Sequence, residues 1–276
     1  MNFENVVFAG GGNRCFWQAG FWLAISDHLD AKPKHIASVS AGSAISCALF
    51  SNKFEEVYEN TLKVMTNNKK NRYWKNLLTN EPVHPHNKLY RFIIETSLDE
   101  DSLKVLHRGP KNHILVAHIP TWLGPKTATI IGLSAYQLEK KLFHPVHPKL
   151  GRSLGFKSEF IDVQSCNTIT ELSNLIISSS CTPPFTPIMY QSGKPVLDGG
   201  MIDNIPVHGV SKFPGSTLVL CSRPYKNLPQ IVGRTYIAPS QPVAVNSWDY
   251  TDPEAVKNTF KQGKNDALAF LNAFKS

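Results

Sequence analysis

The segment Ser38-Val39-Ser40-Ala41-Gly42 constrains this chain more than any other. An apolar run from Ile36 to Val39 leads into it, and a helix-compatible run from Ala41 to Phe50 leads out. A serine on a sharp strand-to-helix turn is a nucleophile elbow. Small residues must flank it, because the serine backbone is strained and the helix packs close to the strand. The hydroxyl then stands at the C-terminal edge of a sheet, beside the positive end of a helix dipole. Ser38 sits where such elbows usually carry glycine. Taken alone, the segment fits a serine-rich helix cap equally well, since Ser38, Ser40 and Ser43 can each cap a helix.

A second segment bears on the choice. Val6-Val7-Phe8-Ala9 reads as a strand that runs into Gly10-Gly11-Gly12-Asn13-Arg14. A helix-like stretch follows, with Phe16, Ala19, Leu23 and Ala24 at helical spacing. Glycines between a strand and a helix expose consecutive backbone N–H groups, an anion site for a phosphate or a developing oxyanion. As a dinucleotide fingerprint, Gly10-x-Gly12-x-x-Cys15 lacks its third glycine. Such a site also wants an acidic residue ending the second strand, which ends instead at Ser38-Val39-Ser40. The loop therefore serves the serine and not a nucleotide.

A third segment, Lys194-Pro195-Val196-Leu197-Asp198-Gly199-Gly200, places an aspartate at a strand end ahead of two glycines. With the glycine loop and the serine elbow, and with the small-residue and proline stretch Ser178 to Pro187, these motifs stand in one order. In that order the chain resembles the patatin-like phospholipases, serine lipid acyl hydrolases that use a Ser–Asp dyad. The resemblance runs from about residue 5 to about residue 210. It implies an α/β three-layer sandwich, with a mostly parallel central sheet and helices on both faces. It implies Ser40 as nucleophile, Asp198 as general base, and Gly10, Gly11, Gly12 and Asn13 as the oxyanion hole. Arg14, Gly42, Gly199 and Gly200 would support the site. The implied substrate is a phospholipid or other acyl lipid, with an acyl-enzyme intermediate and no metal or cofactor. Two positions depart from the family pattern: Ser38 replaces the elbow's first glycine and Cys15 the loop's last. Asn204 and Pro206 read as structural, ending the turn after the aspartate and starting a helix.

A net charge of +8, from 29 basic and 21 acidic residues, suits an anionic partner. No nucleic-acid-binding motif is present, so the expected partner is an anionic membrane surface. The densest basic run, Lys69-Lys70-Asn71-Arg72-Tyr73-Trp74-Lys75, interleaves cations with aromatics as an interfacial segment does. A solvated face is the plainer reading of the same run. The five cysteines, at 15, 47, 166, 181 and 221, form no CxxC pair and read as buried apolar residues in a reducing compartment. The first residues are polar and no apolar run is long enough to span a bilayer, so the expected location is the cytoplasm or a membrane periphery, with signal-independent export left open.

The expected organisation is one domain over 1–276 with a lid or cap inserted at about 67–110, containing one helix near Leu89 to Thr96. A second irregular region, about 120–157, carries a helix near Ala135 to Leu142. Strands are expected at 114–119, 160–163 and 217–221, and a long helix at 252–275. A Ser-His-Asp triad would need a histidine after the aspartate, and only His208 follows Asp198. A structural role is preferred for His208. The pairs His84/His86 and His144/His147 lack nearby carboxylates or cysteines and read as surface histidines. Two other functions compete with hydrolysis. An acyltransferase or transacylase could use the same serine, although Val39 stands where carrier-dependent enzymes usually place a histidine. A non-catalytic membrane-binding protein would have no need of an intact serine, aspartate and glycine loop.

Overall fold

The computed structural model describes residues 3–29, 32–79, 81–143 and 150–275. The chain begins with β1 (Asn5–Phe8), α1 (Phe16–Leu29), β2 (His35–Val39), α2 (Ala41–Phe50) and α3 (Phe54–Asn67). Next come α4 (His86–Ser97), α5 (Glu100–Arg108), β3 (Lys111–His118), α6 (Pro125–Phe143), the short α7 (Leu150–Ser153) and β4 (Lys157–Asp162). It closes with α8 (Ile169–Ser179), β5 (Met189–Gln191), β6 (Lys194–Asp198), β7 (Thr217–Leu220), β8 (Arg234–Ile237) and α9 (Pro253–Lys275).

Among the described residues the strands form one sheet in the order β5-β6-β3-β2-β1-β7-β8, with β4 also on β3. The pairs β1–β2, β2–β3, β1–β7 and β7–β8 are parallel, while β4, β5 and β6 join antiparallel. This is the expected mostly parallel α/β sandwich. Side chains alternate across the sheet. Val6, Phe8 and Ile36 face a layer built from α1, α2, α3 and α9. Ile114 and Val116 extend that face under α5 and α8. The opposite face is covered by α6 against Ala117 and Leu197, and by the irregular stretch Ile205–Val210 against Val7 and Ala37.

Helix α1 is buried on nearly all sides, because α9 lies across the side that the sheet does not cover. A Cβ on Gly20 would stand 2.1 Å from Phe260 O and one on Gly263 2.1 Å from Trp17 O, so two glycines let the helices cross closely. Buried Gln18 uses Nε2 to donate to Ala9 O at 2.8 Å and Leu220 O at 3.0 Å. These are carbonyls at the ends of β1 and β7, and the contact fixes the start of the glycine loop.

Three expectations change in detail. The stretch 67–110 carries two helices, α4 and α5, and Ile93, Ile94, Leu98, Leu103 and Leu106 are buried in the core clusters. The outer faces of α4 and α5 are exposed, and the described residues of 69–82 ahead of them are mostly exposed, with Leu78 at 93%. Helix α6 begins ten residues before the expected Ala135. The segment after Pro206 forms a 3₁₀ turn, Val207–Gly209, and not a helix.

Candidate active site

Strand β3 is the ruler of the site. β4 occupies one of its edges from His113 to His118. β2 and β6 must therefore share the other edge, end to end. β2 runs parallel to β3 and β6 antiparallel, so their C-terminal ends meet. Val39 pairs with Leu115 and Asp198 with Val116, the next residue along. Ser40 follows Val39, and its Oγ donates to Asp198 Oδ2 at 2.7 Å. Sheet register thus joins two residues 158 apart in the chain.

Ser40 has φ 53° and ψ −136°. A non-glycine residue held there costs about 1–3 kcal/mol and persists only when its surroundings impose it. Ser40 N donates to Ser179 Oγ at 2.8 Å, and that hydroxyl donates to Leu115 O at 2.7 Å. Gly42 allows the close approach behind the turn, since a Cβ there would lie 2.5 Å from Ala9 O. The two departures from the family pattern are absorbed locally. Ser38 turns its hydroxyl to Asn112 Oδ1 at 2.9 Å, and Asn112 Nδ2 donates onward to Ser46 Oγ at 2.9 Å. Cys15 is buried against Ala9 O, and burial pushes its thiol up to about 12. All five cysteines are unpaired and buried.

Asp198 is buried. Its Oδ1 accepts from Gly200 N at 2.7 Å, and its Oδ2 accepts from Ser40 and, at 3.4 Å, from Thr182 Oγ1. Burial raises its pKa from 3.8 to about 6, against the opposing effect of the bonds from Ser40, Gly200 and Thr182. A carboxylate titrating near 6 is a better proton acceptor than an ordinary aspartate and is still ionised at neutral pH.

The glycine loop is bolted at both ends. Gly10 N donates to Asn204 O at 3.0 Å, while Gly10 O accepts from Asn204 Nδ2 at 2.9 Å and Ser222 Oγ at 2.6 Å. Asn13 N donates to Ser247 O at 3.1 Å and Asn13 Nδ2 to Asp249 O at 2.6 Å. The amides of Gly10 and Asn13 therefore already have acceptors, which corrects the expectation of four oxyanion donors. Gly11, Gly12 and Arg14 of this segment line the pocket. Gly12 has φ +59°, and a Cβ there would meet Ser247 O at 2.1 Å. Arg14 lies in a 3₁₀ turn, Gly12–Cys15, that precedes α1, and its Nε donates to Gly11 O at 3.1 Å. Ala41, the first residue of α2, also lines the pocket. An amide in the first turn of a helix has no intrahelical acceptor.

The pocket encloses about 240 Å³. Ser40, Asp198, Gly200 and Asn204 form its polar floor, and His86, Tyr90, Leu133, Trp248 and Tyr250 its walls. Gly42 and Gly199 lie behind this floor and do not line it. His86 corrects the expectation of a surface histidine. It is buried, shares an Nε2 hydrogen bond with Trp248 O at 2.8 Å, and packs edge-on to Phe185, Trp248 and Tyr250. His84 packs against Phe185 as well. Neither Trp248 nor Tyr250 sits in a periodic element, so no local pattern announces them. Ser179 and Thr182 lie inside the small-residue stretch noted in the sequence. His208 is exposed on its 3₁₀ turn, away from the pocket lining. His144 and His147 lie outside the described residues. Among the described residues no cluster of His, Cys, Asp or Glu is arranged to hold a metal.

The basic run 69–75 is tied to the rim. Asn71 Nδ2 donates to Asp249 Oδ1 and Asn71 Oδ1 accepts from Tyr250 N, both at 2.9 Å. Asn68 Nδ2 donates to Tyr250 O at 2.9 Å. Lys69, Lys70, Arg72, Trp74 and Lys75 are exposed. Among the described residues no helix is long and apolar enough to cross a membrane.

The family model for patatin-like phospholipase matches residues 6–211, a span that includes Ser40, Asp198 and the glycine loop. The chain belongs to the patatin-like phospholipase family. Membership in this lipase family supports lipid acyl hydrolase activity. No curated protein matches the sequence. Among solved structures the chain is similar to VipD from Legionella pneumophila, with 11% identity, 98% of this chain and 67% of that chain covered, and a TM-score of 0.46.

Proposed function

We propose that this patatin-like phospholipase cleaves ester-linked fatty acids from phospholipids or lysophospholipids through a Ser40–Asp198 dyad. The observation that carries the reading is the 2.7 Å bond from Ser40 Oγ to Asp198 Oδ2, made at a strained elbow and to a buried carboxylate. Ser40 Oγ attacks the ester carbonyl as its proton passes to Asp198. The carbonyl oxygen becomes an oxyanion held by the N–H groups of Gly11 and Gly12, with Ala41 N–H as a further donor at the α2 N-terminus. One such donor is worth roughly 2.7–4 kcal/mol of barrier lowering. Collapse expels the alcohol, which takes the proton from Asp198 and leaves an acyl group on Ser40. Water then attacks the acyl carbonyl, gives its proton to Asp198, and frees the fatty acid as Ser40 recovers its own. Gly10, Asn13, Arg14 and Asn204 hold the loop in place for both steps.

The exposed run 69–75, hinged on Asp249 and Tyr250, is the part of the proposed cap that meets an anionic membrane. Trp74 within it and Leu77 and Leu78 just after it, 61%, 67% and 93% exposed, supply the apolar contacts. The decisive experiment incubates the protein with mixed phospholipids and with a fluorophosphonate probe. Fatty acid release and labelling at Ser40 are expected, both lost in Ser40→Ala. Labelling that persists in the variant, or maps to Ser43, overturns the assignment.

A further inference from the structure

A second cavity lies directly behind the catalytic pocket, and the two share four lining residues: Gly12, Ala41, Tyr90 and Tyr250. Gly12 belongs to the proposed oxyanion loop and Ala41 follows Ser40, so the shared neck lies beside the reacting carbon. Beyond it the wall is apolar, built from Phe16, Ala44, Ile45, Val57, Ile93 and Leu98. The polar members turn their groups elsewhere. Thr61 Oγ1 donates to Val57 O at 2.7 Å, and Asn13 Nδ2 to Asp249 O. An apolar cavity of this kind stays dry and accepts apolar guests.

We propose that this chamber between α1, α2, α3 and α4 receives the acyl chain of the substrate and sets its length, a proposal that rests on the Ser40 reading above. The geometry favours an acyl chain over the alcohol half of the ester. With the carbonyl oxygen at Gly11 and Gly12, one substituent of the tetrahedral carbon must leave past Ala41. The alcohol half of a phospholipid carries charge, which the polar floor and the mouth can solvate and the chamber cannot. The chamber measures about 40 Å³. At roughly 10–15 Å³ for each water-sized group, that is room for about three methylenes beyond the neck. The substrate class it selects is therefore an ester of a short to medium acyl chain. Longer chains require Ile93 or Val57 to give way.

The test compares alkyl fluorophosphonates with ethyl, hexyl and dodecyl tails as labels of Ser40. Each buried methylene is worth about fourfold, so the hexyl probe is expected to label at least about tenfold faster than the ethyl probe. Ala44→Phe fills the chamber and should collapse the hexyl-to-ethyl ratio toward one. Ile93→Ala enlarges it and should move the optimum toward dodecyl, which keeps the test alive if the first variant does not fold. Equal rates for all three tails in the wild type and in Ile93→Ala overturn the chamber. A second readout does not depend on the nucleophile: calorimetric binding of neutral octanamide to Ser40→Ala protein, expected to weaken at least about tenfold when Ala44→Phe is added. Octanamide binding without any labelling would uphold the chamber and overturn the dyad. Binding indifferent to Ala44→Phe would overturn the chamber and leave the dyad standing.

Discussion

The elbow and the rim meet at one pocket but are built in opposite ways. Residues 36–50 run as one strand, turn and helix, buried almost throughout, with Ser40 braced by Ser179 and set by register on β3. The rim is gathered from distant pieces, with His86 bonded to Trp248 across 162 residues and Asn71 to Asp249 across 178. In the proposed dyad Ser40 and Asp198 must keep their hydrogen bond, and here a strained turn set by register on a shared strand holds it. The rim has to exclude water and admit an acyl lipid, a demand of shape that loops can meet. Changes at the elbow should therefore act on the chemical step, and changes at the rim on access and binding.

The largest expected effects lie at the elbow. Asp198→Asn keeps the shape and removes the proton acceptor, so kcat/KM on a soluble ester should fall by about 10⁴-fold or more, as Ser40→Ala should. In the wild type, activity should rise with pH through an inflection near 6, where Asp198 loses its proton. A second inflection of equal size near neutrality would bring a histidine into the mechanism and break the contrast.

The same substitution should stabilise the fold. Burial raises Asp198 from 3.8 to about 6, so its contribution to stability is present below about 4 and lost as pH rises through about 6. At about 1.36 kcal/mol per pH unit, the buried charge costs up to about 3 kcal/mol at neutral pH. Asp198→Asn removes that cost, and its melting temperature should exceed wild type at about pH 8 but not at about pH 4. A variant less stable than wild type at both values would show that the Gly200 and Ser40 bonds outweigh desolvation.

What could be read from the sequence follows the same division. The elbow, the glycine loop and the aspartate turn are each contiguous, sit at strand ends, and carry their chemistry within about five residues. Their order along the chain carries the family resemblance, and it is the resemblance that pairs Ser40 with Asp198, residues the structure holds 2.7 Å apart. That Gly10 and Asn13 amides are already bonded was hidden, because their acceptors, Asn204 and Ser247, lie far off in the chain. Helix α5 was missed within a polar stretch, since its buried stripe is only Leu103 and Leu106. Its local signs are the Asp99–Ser102 capping box, the acidic first turn of Glu100 and Asp101, and the basic last turn of His107 and Arg108 ahead of Gly109. The early start of α6 was marked by Pro125 at its first position. Trp248 and Tyr250 had no signal at all, because a loop side chain acquires its role only when the loop is folded onto α4.

Rim changes come next in size. Lys69, Lys70, Arg72 and Lys75 changed together to glutamine should weaken binding to anionic vesicles, by about 1 kcal/mol for each residue that reaches the surface. The loss should shrink as salt rises, because screening already weakens the wild type. Hydrolysis of a soluble short-chain ester should stay near wild type, since these side chains are exposed and outside the pocket lining. Unchanged vesicle co-sedimentation would make the run a solvated face. A matching fall in soluble-ester turnover would show that the Asn71 hinge transmits to the dyad, and the division between rim and elbow would fail.

The smallest effect is expected at His208. It follows Asp198 in the order a Ser-Asp-His triad would require, so it is the sharpest control on the dyad. Its side chain is exposed on the Val207–Gly209 turn and does not line the pocket. Ser40 already donates to Asp198 at 2.7 Å, which leaves no gap for an imidazole between them. His208→Ala should change stability by no more than about 0.5 kcal/mol, as an exposed substitution does, and should leave kcat/KM and its inflection near 6 in place. If turnover fell a thousandfold while the melting temperature held, the turn would have to swing inward during the reaction. The base would then be assembled from distant pieces, as the rim is, and not set by β3.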